Sequence, residues 1–286
     1  MKKRDGDELQ EYPPGRPEVL EENGDFLVIN KPPGWLVHPK DPERHRRTLW
    51  HWLHEVYAFE QANGARFSII NRLDRETSGL MLVALNREAA AELSRLLQDQ
   101  GLKKEYMALA LGHPSWQELV VDQPIARLAE HSSQLIWVKH GVLPQGQSAR
   151  TRFVCEQLYE GEQWPGGKGA LLRVYPETGR THQIRVHAAW CGLPLLGDKL
   201  YGANQQCYLD FAAGGWSLDL QVALGHPRHA LHACGLGMLW NSTFREWQLP
   251  LPPDLQEFVG KQETELSQIP EFKNEGAEVS CRKRLG

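Results

Sequence analysis

The chain has 286 residues, of which 41% are hydrophobic and 24% charged, and its formal net charge is −4. This composition predicts a globular protein of one large domain or two small ones, long enough to fold without disulfides or metals as staples. The five cysteines are odd in number and form no Cys-x-x-Cys pair, which argues against a disulfide framework or a cysteine zinc site.

No run of about 18 apolar residues occurs, so we expect no transmembrane helix, and the polar N-terminus lacks the apolar core of a signal peptide. A cytoplasmic protein is therefore expected. The net charge alone does not favour a nucleic-acid binder. However, residues 1–25 contain four basic and eight acidic side chains and so account for the whole −4. Local basic groups such as Arg44-His45-Arg46-Arg47 can still face a polyanion.

Periodicity and turn residues predict the elements of the first part of the chain. Residues 1–20 are predicted to be a disordered polar tail. They are followed, in chain order, by a strand, a Pro-Pro-Gly turn and a strand at 26–37, a helix at 48–58, short buried strands at 67–70 and 80–85, and a helix from the cap Asn86 to about residue 100.

The second part of the chain contains mostly strand patterns. Strands are predicted at 104–111, 134–139, 148–158 and 169–175, a short helix at 180–190, a hairpin of 230–240 with 243–249 around Asn241-Ser242, and a helix at 254–260. Many strands with few helices between them indicate an α+β fold with a mixed, mainly antiparallel sheet. With no clear break between 26 and 260, we expect one catalytic domain at 21–263 and a polar C-terminal tail at 264–286.

Asp74 is the most informative acid in the chain. It lies in the stretch Asn71-Arg-Leu-Asp-Arg-Glu-Thr-Ser-Gly79, between two predicted strands, and is flanked by Arg72 and Arg75. Nearby arginines would keep its carboxylate ionised. A carboxylate held this way can attack electrophilic carbon, act as a base, or bind a metal. The plain alternative is a turn aspartate that accepts from the Thr77 and Ser78 amides.

Three other stretches contain candidate site residues. Tyr106 alternates with Lys104 in a predicted strand, where it could stack on a base, act as a weak acid or base, or fill core. Lys31 precedes Pro-Pro-Gly and is predicted to be a cation on a rigid turn. Arg180, His182 and Arg185 fall on a predicted helix whose start suits a phosphate, with a solvated amphipathic helix as the alternative.

Several common catalytic signals are missing. The chain contains no phosphate-binding loop of the Walker type, no dinucleotide-binding glycine fingerprint and no serine-hydrolase elbow. His229 and His232 have helical metal spacing but no acid close in sequence, so we expect no metal site there.

Taken together and in this order, the motifs closely resemble those of the RluA-type family of RNA pseudouridine synthases. The matching segments are Asn30–Pro39, Arg72–Gly79, Lys103–Tyr106, Thr178–His187, Gly192–Gly202 and Arg228–Ala233. They span residues 30–233, and the pair Arg-Leu-Asp-x-x-Thr-Ser-Gly and Gly-Arg-Thr-His-Gln-Ile-Arg-x-His is specific.

The resemblance implies a mixed central sheet in two halves with a catalytic cleft between them, and it assigns roles to residues. It implies that Asp74 is the catalytic acid, Tyr106 the active-site tyrosine and Arg185 the arginine paired with the acid. Arg72 would fill the gap left in RNA by the flipped uridine. Other RNA contacts are then expected at Lys31, Arg75, Arg180 and His182.

The implied reaction isomerises uridine in ribosomal or transfer RNA to pseudouridine, after the base has been flipped out of the stack. The expected partner is RNA. The protein is expected to be a monomer that binds no membrane, and the implied reaction needs no nucleotide cofactor, other cofactor or metal. Asn71 replaces the family's usual histidine, and residues 1–25 are too short for the S4 RNA-binding domain that many members carry. The alternatives are an inactive RNA-binding or RNA-chaperone protein of the same fold, and a glycosidase, which would need a second opposed carboxylate.

Overall fold

In this computed structural model, the described parts of the chain are residues 15–39, 48–131, 136–202 and 204–260. Their backbone contacts divide the chain into two compact units. Among the described residues, the first unit comprises those up to Met107 together with Leu231–Phe258, and the second comprises those of Ala108–Ala230 together with Val259 and Gly260. Each unit has its own core of buried apolar side chains.

The first unit is built on a mixed sheet. Its elements are β1 (Glu18–Glu22), β2 (Phe26–Lys31), α1 (Leu49–Val56), α2 (Ala58–Ala62), β3 (Ser68–Ile69), β4 (Ser78–Ala84), α3 (Arg87–Gln98), β5 (Lys103–Leu111, which continues into the second unit), β11 (Leu231–Trp240), β12 (Thr243–Gln248) and α7 (Pro253–Gly260). The strand order is β1-β2-β4-β11-β5, with β3 on β4 and β12 on β11. The β4–β11 pair is parallel, whereas β2 is antiparallel to β4 and β12 is antiparallel to β11.

Among its described residues, the second unit contains an antiparallel sheet and three α-helices. Its elements are β6 (Glu118–Asp122), β7 (Ile125–Arg127), β8 (His140–Val142), β9 (Arg150–Glu160), β10 (Lys168–Pro176), α4 (Gln183–Trp190), α5 (Gln206–Gly214) and α6 (Leu218–Leu224). The order is β5-β10-β9-β6, and β7 and β8 form a separate hairpin. The long β9–β10 pair is antiparallel over its whole length.

Buried apolar side chains form the core of each unit. Every residue of β4 is buried, which accounts for its uninterrupted apolar sequence. In the first unit, β4 packs with Phe26, Leu93 and Trp240 in one cluster. In the second unit, Ile125, Ala149, Val186, Leu200 and Tyr201 form a cluster around α4.

Most of the predicted elements are present, with corrections. The α+β class and the mainly antiparallel sheet are confirmed, as are the helix capped by Asn86 and the hairpin at Asn241-Ser242. The helix predicted at 180–190 begins only at Gln183. Residues 136–139 of the predicted strand 134–139 are not strand, and β8 begins at His140. Residues 18–20 of the predicted tail belong to β1.

Three predictions lie outside the described residues. They are the first 14 residues of the predicted N-terminal tail, the basic group Arg44-His45-Arg46-Arg47, and the chain after Gly260. Within the described ranges, none of the helices combines the length and the apolar character needed to cross a membrane.

Candidate active site

Asp74 lies in the turn between β3 and β4, in the first unit. Its side chain is half-buried, and its backbone carbonyl accepts a hydrogen bond from the Thr77 amide at 3.2 Å. Thr77 and Ser78 are buried directly after the turn, and they lead into β4. The turn therefore carries Asp74 at the end of a strand that is fixed by the core.

Lys31 braces this turn from the inside. Its side chain has no exposed surface, and its Nζ donates to the carbonyls of Pro32 at 2.9 Å, Trp35 at 3.1 Å and Arg75 at 3.2 Å. The Gly34 amide also donates to the Arg75 carbonyl, at 2.8 Å. These bonds join the Pro-Pro-Gly turn to the residue after Asp74, so Lys31 holds the two turns together. The RNA contact expected of Lys31 from the sequence stays a prediction.

The start of β4 is locked to β11. The Ser78 hydroxyl lies 2.9 Å from Nδ1 of His232, and both residues are buried. Gly79 has φ of +113°, and a Cβ at this position would overlap the backbone of Ala233. Only glycine permits this close approach of β4 to β11. Asp74 is thus presented by a turn with very little freedom at its C-terminal end.

Asn71 holds the other end of the turn. Its Oδ1 accepts from the Leu82 amide at 2.7 Å and its Nδ2 donates to the Leu80 carbonyl at 3.3 Å. Both polar atoms of this buried side chain therefore bond the backbone of β4. An amide provides the donor and the acceptor that this position uses.

Tyr106 on β5 is buried and lies within the electrostatic reach of Asp74. Burial raises the pKa of the Tyr106 phenol, and the charges of Asp74 and Cys234 raise it further. A phenol in this setting stays protonated at neutral pH. It suits stacking or donating a hydrogen bond better than abstracting a proton.

The two arginines beside Asp74 differ in their surroundings. Arg72 is exposed. The pKa of the nearby His38 is lowered, mainly by partial burial of His38 and further by the positive charge of Arg72. His38 is itself exposed and its ring lies 5.9 Å from that of Trp50. Arg75 is half-buried, and its Nε donates to the Gly34 carbonyl at 3.4 Å. Arg72 is therefore the arginine of this turn that presents its charge to solvent.

Arg185 belongs to the second unit, on the buried face of α4. Its Nε donates to Oδ2 of Asp198 at 2.7 Å and its Nη2 donates to Oδ1 at 2.9 Å. Burial raises the pKa of Asp198, but the charge and hydrogen bonds of Arg185 outweigh it and bring the pKa to about 2. This bidentate pair was not predicted from the sequence, although Asp198 is in the matched segment Gly192–Gly202.

Arg180 and His182 lie just before α4 rather than on it. The exposed Arg180 donates from Nε to the Ser148 carbonyl at 3.0 Å. His182 has φ of +58° at the start of the helix, and its Nδ1 lies 2.8 Å from the Tyr201 hydroxyl. Arg180 remains a candidate RNA contact, whereas His182 is half-buried against Tyr201. Throughout the part of the chain that the structure describes, no cluster of metal-binding side chains is found.

Comparison with known proteins identifies the class of protein to which this chain belongs. The family model described as RNA pseudouridylate synthase matches residues 25–190, and the chain belongs to this family, as the RluA-type motifs indicated.

Several relatives of this chain are named as enzymes of the large ribosomal subunit. The ribosomal large subunit pseudouridine synthase D of Nitrosomonas europaea is 34% identical over 240 residues, covering 83% of this chain and 63% of that protein. Its counterpart in Yersinia pestis is 34% identical over 262 residues, covering 90% of this chain and 73% of that protein. The chain thus spans less than two thirds of the first of these relatives.

A solved structure shows the same fold. Human RNA pseudouridylate synthase domain containing 1 superimposes with a TM-score of 0.62 at 24% identity, covering 90% of this chain and 89% of that one. At this identity the match establishes the fold alone.

Proposed function

We propose that this protein isomerises uridine in ribosomal large-subunit RNA to pseudouridine, with Asp74 as the reacting carboxylate. The sequence left ribosomal and transfer RNA open, and the names of the relatives favour the large ribosomal subunit. The observation that carries the proposal is the placement of Asp74 on a braced turn beside the buried phenol of Tyr106.

The chemistry requires a rearrangement within one nucleotide. The N1–C1′ glycosidic bond breaks, the uracil turns while it stays bound, and C5 bonds to C1′. The proton displaced from C5 passes to solvent and N1 takes up one proton, so that the product is an isomer of the substrate. No group is added or removed, so the roles fall to protein side chains that position and stabilise. The target uridine has to leave the helical stack first, at a cost of a few kcal/mol.

Each site residue has a role in this scheme. Asp74, ionised, contacts the flipped nucleoside. Tyr106, a neutral phenol, stacks on the uracil or donates to it. Arg185 serves the reaction, as the family resemblance implies. Arg72 occupies the gap left in the RNA, since it is the solvent-facing arginine of the turn, and Arg75 and Arg180 meet phosphates.

The alternative of an inactive RNA-binding or RNA-chaperone protein of the same fold is not favoured. Such a protein would have no need to retain the acid, the tyrosine and the arginine at their matching positions. Asp74, Tyr106 and Arg185 are all present. A glycosidase is also disfavoured, because it calls for a second carboxylate opposite the first.

The test uses large-subunit RNA and transfer RNA transcribed with uridine tritiated at C5, so that pseudouridine formation releases tritium. We expect release from the ribosomal RNA with the wild-type protein, and Asp74→Asn should reduce the rate by at least about 10⁴-fold. Glu76→Gln, which changes another acid in the same turn, is the matched control and should stay within about twofold of wild type. Circular dichroism should show Asp74→Asn folded.

Two results would overturn the proposal. Wild-type turnover by folded Asp74→Asn would remove Asp74 as the reacting group. Tritium release from transfer RNA alone would refute the assignment of the substrate while leaving the reaction in place. Mapping the modified uridines in cells with and without the gene identifies the position.

A further inference from the structure

The guanidinium of Arg185 is held by a buried carboxylate that no catalytic role requires. We propose that Asp198 is a positioning residue, which fixes the plane and direction of the Arg185 guanidinium for catalysis, and that Tyr201 supports the same group from its face. The inference rests on the proposed function, because it presumes that Arg185 serves the reaction there.

Asp198 is well suited to this role because its own carboxylate cannot turn. Its Oδ1 accepts from the amides of Leu200 and Tyr201, both at 3.0 Å, in addition to the bond from Arg185. The preceding residue, Gly197, has φ of +73°, and a Cβ there would overlap the Arg228 carbonyl. The loop that carries Asp198 is thus packed against backbone on one side and bonded to its own amides on the other.

Energetics favour a positioning role over a purely stabilising one. Asp198 has no exposed surface, and Arg185 is 7% exposed. Removing two charges from water costs several kcal/mol for each ion, so a buried pair adds little net stability compared with apolar side chains of the same volume. The pair does supply two parallel hydrogen bonds in a rigid fork, which set the orientation of a planar guanidinium.

Two of the five N–H groups of Arg185 are bound by Asp198. Because the guanidinium is planar, fixing the Nε and Nη2 protons also fixes the directions of the other three. An error of about 1 Å in the placement of such a group can cost on the order of 100-fold in rate. Asp198 therefore sets the geometry with which Arg185 meets its target.

Tyr201 completes the support. Its ring lies 5.0 Å from the Arg185 guanidinium carbon, within the range of a cation–π contact. Its hydroxyl accepts from the His140 amide at 3.0 Å and pairs with Nδ1 of His182 at 2.8 Å. His140 and His182 thereby hold the Tyr201 ring in place, which gives His182 a function inside the protein at the position where sequence predicted an RNA contact.

The central experiment compares Asp198→Asn with wild type under single-turnover conditions. The substitution keeps the shape but removes the charge, and we expect kcat to fall by roughly 30- to 100-fold. The Kd for RNA should change by less than about threefold, since Asp198 is buried and touches no solvent. Glu156→Gln is the matched control, because it breaks another bidentate pair, with Arg173 at 2.7 and 3.1 Å, and should leave kcat within about twofold.

Tyr201→Phe guards against a failure of Asp198→Asn to fold. It keeps the ring beneath Arg185 and removes only the hydroxyl contacts, and kcat should fall roughly three- to tenfold with RNA affinity unchanged. In an Arg185→Lys background, each of the two substitutions should lower kcat by less than a further factor of about two, because both act through the guanidinium.

The outcomes separate the inference from the function on which it rests. If Arg185→Lys lowers kcat but folded Asp198→Asn and Tyr201→Phe do not, the inference is wrong and the role of Arg185 stands. Losses that are as large in the Arg185→Lys background as in wild type would equally overturn it. Unchanged turnover in Arg185→Lys would instead refute the proposed role of Arg185, and with it the inference.

Discussion

Replacing Lys31 by methionine tests whether this lysine is an internal brace or an RNA contact. The side chain is fully buried, and its ammonium donates to three backbone carbonyls of two turns. Methionine has a similar length and fills the same space, but it donates no hydrogen bond. The prediction is a loss of stability with little change in the affinity for RNA.

The magnitude follows from the three hydrogen bonds. Each buried carbonyl that loses its donor costs about 1–3 kcal/mol. The Arg75 carbonyl keeps its bond from the Gly34 amide at 2.8 Å, so the cost falls on the half-buried Pro32 and Trp35. Methionine also avoids the cost of burying an ammonium, which recovers part of this sum. We expect a net loss of about 2–4 kcal/mol in the free energy of unfolding and a fall in Tm of roughly 5–10 °C.

The assay pairs thermal unfolding with RNA binding at several salt concentrations. Lys103→Met, at an exposed lysine of the same unit, serves as the control and should change stability by less than about 1 kcal/mol. A lysine that contacts a phosphate would behave in the opposite way, with unchanged Tm and a slope of log affinity against log salt reduced by about 1. That pattern in Lys31→Met would refute the assignment of Lys31 to the turn.

Three other predictions address the turn, the buried pair and metal. Gly79→Ala should lower Tm by more than about 10 °C, because the added Cβ would overlap the backbone of Ala233. Gly64→Ala is the control: Gly64 also has a positive φ but lies in open space, so the substitution should cost only about 1 kcal/mol of backbone strain. Equal effects of the two substitutions on stability would contradict this packing. Since the pKa of Asp198 is lowered from 3.8 to about 2, the folded state is stabilised by about 2 kcal/mol with Asp198 ionised relative to protonated. This contribution is complete above pH 3.8 and is lost as pH falls toward 2. Denaturation at several pH values should therefore show the wild-type advantage over Asp198→Asn constant from pH 7 to about 4 and shrinking below; growth on acidification would contradict it. EDTA should leave tritium release unchanged, and inhibition reversed by zinc would instead indicate a histidine metal site.

Local signals in the sequence were sufficient where the structure is locally determined. Asn86 caps α3 by accepting from the Ala89 amide at 2.8 Å, as its position before an amphipathic segment indicated. Asn241 and Ser242 have φ of +48° and +63°, the geometry that joins two strands in a tight hairpin. The buried run of β4 was also identifiable, because a strand covered on both faces is apolar throughout.

Features that depend on partners distant in the chain could not be predicted from the sequence. The sequence predicted a tail up to residue 20 because β1 contains the exposed acidic residues Glu18 and Glu22. Only the pairing with β2 makes this segment a strand. α4 starts late because the Gln183 side chain accepts from the Thr178 hydroxyl and the Arg180 amide, which holds the preceding residues in a turn. The Arg185–Asp198 pair joins residues whose side chains meet only through the fold.

The motifs around Asp74 therefore serve two separate purposes. Lys31, Ser78 and Gly79 are all buried, and each bonds or packs against backbone or a neighbouring strand. Asp74 and Arg72, by contrast, keep exposed surface. A flexible turn would let the carboxylate sample many positions, and each would dilute the one geometry that reaction needs. Because Lys31, Ser78 and Gly79 fix the turn through these contacts, a substitution at any of them should impair the catalysis proposed for Asp74 by displacing its carboxylate, while leaving its charge intact.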